Sequence, residues 1–150
     1  MLLERYSFKV DAGFLQYTFY SEGSKGRIDK IVLYTYLMTL GGIPYYNLGF
    51  GDHDDKNDQI NDLAVSGNGD RDKILATVAY TAIEFSSHFH KCRIVIQGST
   101  LSRTRLYQMG IARHHQEISQ LFDIQGMTET GELVPFKRGE NYRAFLASRK

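Results

Sequence analysis

The apolar period of this chain changes at Arg71, and that change limits what it can fold into. Before it, apolar and aromatic residues alternate in short runs at residues 6–10, 14–20, 28–37 and 44–50. Alternation rich in aromatic and β-branched side chains marks half-buried strands. Residues 22–27, with two glycines, and Gly41-Gly42 are turns by composition. These runs predict an antiparallel, aromatic-rich meander. From Arg71 to about Ser87 the apolar residues fall instead at Ile74, Leu75, Val78, Ala82 and Ile83, the spacing of a helix.

Asp70 suits the N-cap of that helix, although Lys73 denies it a capping-box partner. Residues 60–65 predict a short strand before the helix, and residues 93–97 a compact buried strand after it. A second helix is expected over residues 102–121, followed by strands at 122–126, 132–137 and 141–147. The fold class is therefore α+β: a meander, then β-α-β-α-β and a closing hairpin, in a mixed sheet with two main helices. At least one right-handed parallel crossover is required.

With 150 residues, no linker and no internal repeat, the chain reads as a single domain, 1–150. Eighteen Lys and Arg against 17 Asp and Glu give a net charge of +1, too small a field for coating nucleic acid. No segment reaches ~18 apolar residues, and residues 1–6 hold no apolar leader. A cytoplasmic protein without a membrane role is expected. Cys92 is the sole cysteine, which excludes an internal disulfide and a cysteine-based zinc site. At the start of a buried strand it reads as a packing thiol.

Two loops carry the candidate chemistry. If strands 60–65 and 93–97 are parallel neighbours joined by the first helix, Asn68-Gly69-Asp70 and Gly98-Ser99-Thr100 emerge at one carboxyl edge. Both open helices, so both present backbone N–H groups and a positive dipole end, the setting in which anions bind. On the second helix Tyr107, Ile111, His114, Ile118 and Leu121 share a stripe, and Arg103 lies one turn before Tyr107. Arginine in a first turn opposes the dipole and calls for a partner. That partner is an anionic ligand shared with Ser99 and Thr100, or it is Asp70 in a salt bridge tying the loops together. Arg105, with Gln108, Ala112 and Gln116, belongs to the opposite face.

Other clusters carry weaker signals. Asp52, His53, Asp54 and Asp58 could gather round a hard cation, but the stretch lacks the EF-hand glycine and glutamate and reads first as a solvated loop. His88 and His90 lack a third ligand, and His114 and His115 point to opposite sides of their helix.

Three stretches carry a resemblance: residues 46–52 (YNLGFGD), Asn68-Gly69-Asp70 with residues 73–79 (KILATVA), and Gly98-Ser99-Thr100 with residues 103–107 (RTRLY). Together they resemble a family of short bacterial proteins of unknown function, with related spacing in small phage proteins. That resemblance covers most of the chain and implies no activity. The order strand, loop, helix, strand, then a helix holding residues 106–111 (LYQMGI) is also similar to the acyl-CoA-binding half of GNAT acyltransferases. It implies cofactor phosphates at Gly67, Asn68 and Gly69 and a proton donor at Tyr107. The chain departs from it in lacking the Gln/Arg-x-x-Gly-x-Gly/Ala loop and in placing Asp70 beside the phosphates. The likeness guides the fold, and no cofactor is assigned.

Three functions follow, in order of preference. The first is binding of a phosphorylated small molecule or nucleotide by Asn68, Gly69, Asp70, Gly98, Ser99, Thr100 and Arg103. In an enzyme, Asp70 would be base or metal ligand, Arg103 charge stabiliser and Tyr107 acid. The second is a protein-interaction module, a homodimer or one half of a toxin–antitoxin or phage-defence pair, motivated by Tyr17, Phe19, Tyr34, Tyr36, Tyr45 and Tyr46. The third, nucleic-acid binding through Lys137, Arg138, Arg143, Arg149 and Lys150, is disfavoured by the near-neutral charge.

Overall fold

The alternating runs form strands and the periodic runs form helices. The structure, a computed structural model, describes residues 4–54, 59–61 and 68–150. The chain divides into two compact units, one of Leu2–Tyr34 with Gly49–His88, the other of Thr35–Leu48 with Phe89–Lys150. The sheet is mixed and the fold α+β.

In the first unit, β1 (Lys9–Val10), β2 (Gln16–Gly23), β3 (Gly26–Leu40) and β4 (Ile43–Asp54) are neighbours in that order, the expected meander. The β2–β3 register runs from Gln16↔Leu33 to Gly23↔Gly26. Side-chain alternation turns Tyr17, Phe19 and Ser21 inward along β2. Helix α1 (Arg71–His88) covers them, close to its predicted bounds. Its buried face differs from the predicted stripe: Ile74 and Val78 are buried, but Thr77, Thr81 and Phe85 join them, and Leu75, Ala82 and Ile83 are half-buried. Threonine is accommodated there because each hydroxyl finds a bond inside. Thr77 donates to the Lys73 carbonyl at 2.7 Å and Thr81 to the Val78 carbonyl at 2.7 Å. Tyr34 stacks on Phe85 at 4.0 Å, meets Tyr17 edge-on at 5.6 Å, and its hydroxyl bonds Thr81 at 2.9 Å. Each such aromatic side chain contributes about 1.5–3 kcal/mol by leaving water.

In the second unit, β3 and β4 are joined by Gly41-Gly42, with φ of +57° and +79°. Two successive positive φ values make the two-residue hairpin turn whose twist suits the strands. β4 pairs in parallel with β6 (Arg93–Ile96), from Tyr45↔Arg93 to Leu48↔Ile96. β9 (Ala144–Arg149) flanks β6 on its other side, and β7 (Phe122–Met127) and β8 (Leu133–Pro135) follow outward. Helix α2 (Leu101–Arg113) ends earlier than predicted and a single turn, α3 (His115–Ile118), follows it. At His114 φ is −111° and ψ +19°, outside the helical range. With neither glycine nor proline there, the apolar stripe had read straight through. Among the described residues, no helix is long and apolar enough to cross a membrane.

Two expectations are overturned. The parallel neighbour of β6 is β4, not a strand at 60–65; what is described of that segment, β5 (Gln59–Asn61), lies antiparallel to β4. Residues 62–65 lie outside the described residues. A central parallel strand needs two packable faces, which Tyr45-Tyr46-Asn47-Leu48 supplies. The closing hairpin is β7–β8, while β9 returns to lie between β6 and β7. Its Ala144-Phe145-Leu146-Ala147 is buried throughout, a central strand rather than a hairpin edge.

Candidate functional site

The first predicted loop is held by its own unit. Asn68, 3% exposed, accepts the Lys25 N–H on Oδ1 at 2.6 Å and donates from Nδ2 to the Gly26 carbonyl at 2.9 Å and to Ser21 Oγ at 3.1 Å. Its own carbonyl accepts the Ser24 N–H at 3.3 Å. The asparagine thus clasps the β2–β3 turn, with both amide N–H donors and its Oδ1 engaged. A Cβ on Gly23 would stand 1.9 Å from the Asn68 carbonyl oxygen, so only glycine allows the approach. Gly69 is exposed, with φ +81° and open space around it. Gly67, expected to hold a phosphate, lies outside the described residues.

Asp70 begins α1 through its carbonyl, which accepts the Ile74 N–H at 3.0 Å. Its carboxylate does not cap the helix as predicted. Oδ2 accepts the hydroxyls of Tyr6, at 2.6 Å, and Ser21. Oδ1 is sealed from solvent without a hydrogen-bond partner. Burial, and next the bond to Asp70, raise the Tyr6 hydroxyl above its ordinary pKa. Tyr6 and Ser21 were not anticipated. Ser21 was legible: it shares the inward face of β2 with Tyr17 and Phe19, and a buried hydroxyl needs a partner.

The acidic stretch is also strand rather than loop at its start. Asp52 and His53 belong to β4, and Asp52 forms an ion pair with Lys30, itself 3% exposed. Asp58 and its neighbours from residue 55 lie outside the described residues. His88 is stacked on Phe14 at 3.7 Å and bonded to Glu84 at 3.3 Å.

The second predicted loop is the entry to α2. The Thr100 side chain accepts the Arg103 N–H at 3.2 Å, and its carbonyl accepts the Thr104 N–H at 3.1 Å. Thr104 Oγ1 in turn accepts the Gly98 N–H at 3.0 Å. A Cβ on Gly98 would lie 2.5 Å from both the Arg103 Cβ and the Thr104 nitrogen. Glycine is needed here for the strand to turn directly into its helix. This cap leaves the N–H groups of Leu101 and Ser102 at the exposed tip of the first turn. Ser99 and Thr100 are exposed, Arg103 is half-buried and Tyr107, one turn on, is buried. Arg105 reaches Gln108 at 3.4 Å, and Gln108 bonds the Glu140 carbonyl. Cys92 is buried, and burial pushes its thiol up to about 11, as suits an inert packing group.

A sequence model for one protein family, a family of unknown function (DUF6934), matches residues 2–150. The chain belongs to that family. No curated protein matches it, and no solved structure does. What a DUF6934 chain does must therefore be argued from its own residues.

Proposed function

We propose that this DUF6934 chain binds a small anionic molecule, a phosphate-bearing nucleotide or coenzyme, at the turn from β6 into α2. The observation that carries this reading is the parallel β4–β6 pair, whose β6 member leads through a short turn to the α2 N-cap at Thr100. Carboxyl ends of parallel strands are where sheets of this kind hold ligands, and a helix N-terminus favours negative charge. The Leu101 and Ser102 N–H groups, the Ser99 hydroxyl and the Arg103 guanidinium are the contacts expected. Thr100 and Gly98 shape the turn, and Tyr107 lies behind it.

Asn68, Gly69 and Asp70 precede α1 in the other unit, after β5 in chain order. The Asn68 and Asp70 side chains are engaged within that unit, and no ligand contact is assigned to this turn. The reading is one of binding, with no catalytic step assigned to Asp70, Arg103 or Tyr107.

Thermal unfolding with inorganic phosphate, ATP and coenzyme A tests it. At about a hundred times Kd a ligand adds about 2.7 kcal/mol of stability, a clear rise in Tm. Arg103→Ala should abolish the rise, read against the variant's own ligand-free Tm. No rise with any of the three, or an equal rise in the variant, overturns the reading.

A further inference from the structure

We infer that the chain pairs with a second copy of itself through the outer strand of the β3–β4 hairpin, independently of any ligand at α2. In the second unit the strands follow the order β3-β4-β6-β9-β7-β8, so β3 is an edge. β2 accompanies β3 only as far as Leu33, and the Tyr34 N–H closes on the Leu15 carbonyl at 2.8 Å. Beyond it, Thr35 to Leu40 have no strand on that side among the described residues. All six are exposed, with Tyr36 at 54%, Leu37 at 45%, Met38 at 48% and Leu40 at 55%.

Natural edges are guarded by charge, proline, a bulge or a cover. This one, Thr-Tyr-Leu-Met-Thr-Leu, carries neither charge nor proline, and no charged residue occurs from Ile31 to Gly51. The absence of charge is what selects a second copy: identical segments meet without like-charge repulsion, and antiparallel strands pair about a two-fold axis.

The backbone also chooses the register. Successive residues of a strand direct their N–H and C=O to opposite edges. Because the Tyr34 N–H faces the β2 side, Tyr36, Met38 and Leu40 face that side too. A two-fold perpendicular to the sheet must match residues of one face. Centring it on Met38 sets Met38 opposite Met38 and Tyr36 opposite Leu40, and uses all three outward-facing residues. Centring on Leu37 would oppose Leu40 to Tyr34, which Leu15 already holds.

Sedimentation velocity over a concentration series, with two variants, tests this. In Met38→Pro the lost N–H is an outward one, so the hairpin survives while the pairing does not. Met38→Lys keeps the backbone and sets two charges face to face. Wild type should sediment as a dimer and both variants as monomers with unchanged far-UV circular dichroism. Should the proline unfold the hairpin, the lysine variant alone decides. Met38→Cys should oxidise to a covalent dimer, because hydrogen-bonded antiparallel pairs stand about 5.5 Å apart at Cα, within disulfide reach. A monomeric wild type, or a dimer that survives Met38→Lys, overturns the inference.

Discussion

Lys30 and Asp52 show how one buried charge constrains its neighbours. The lysine is buried with the ring of Phe50 5.9 Å from its Nζ, and Asp52 neutralises it. Removing the carboxylate strands a lysine whose side chain is 4% exposed, whereas removing the lysine leaves Asp52, at 22%, within reach of water. Asp52→Ala should therefore destabilise by about 3 kcal/mol, and Lys30→Met by clearly less, although both delete the same bond. Urea midpoints of the two variants check this, and equal losses would contradict it. Lysine at an inward position of β3 was a readable sign of such a pair. Reading residues 51–58 as a solvated loop hid the partner.

At the scale of elements, the hairpin of β2 and β3 depends on a residue over forty positions away in the chain. Asn68 satisfies the Ser24 and Lys25 N–H groups and the Gly26 carbonyl, so the turn does not close by its own chemistry alone. Asn68→Ala should cost about 2 kcal/mol, as expected for buried groups left unsatisfied. Amide hydrogen exchange at Lys25 should quicken, while amides in α2 keep their protection. Unchanged exchange at Lys25 would show that the clasp is not needed. Strand and helix positions were legible because alternation and helical spacing are local signals. Strand partners were not. That β4 rather than residues 60–65 runs beside β6 depends on which segment can bury both faces. Asn68 read as a ligand contact because a Gly-Asn-Gly turn before a helix looks alike whether it holds a phosphate or a neighbouring hairpin. Likewise, Gly98-Ser99-Thr100 was readable as a helix entry, but not the bond from the Gly98 N–H to Thr104.

The whole molecule responds to alkali through its buried hydroxyls and thiol. Burial pushes Cys92 up from 9.0 to about 11, and raises Tyr17 and Tyr6 above the ordinary tyrosine value. The folded chain holds these protons more tightly than the unfolded one. Stability is therefore intact below about 9 and falls as pH rises towards about 11, with the tyrosines prolonging the fall. Urea midpoints across that range should decline, and Cys92→Ala should make the decline shallower by on the order of 2 kcal/mol. An identical slope would mean that the thiol is not shielded as described.

The placement of β9 bears on how the chain is made. Both β6 and β7 lean on it, so each waits with one flank bare until residues 144–149 have left the ribosome. Every earlier strand of that unit emerges first, and a nascent chain stalled before residue 144 offers chaperones two unfilled berths. This half of the protein cannot settle before β9 has been made, and a pause just ahead of residue 144 should be costlier than one just after residue 149.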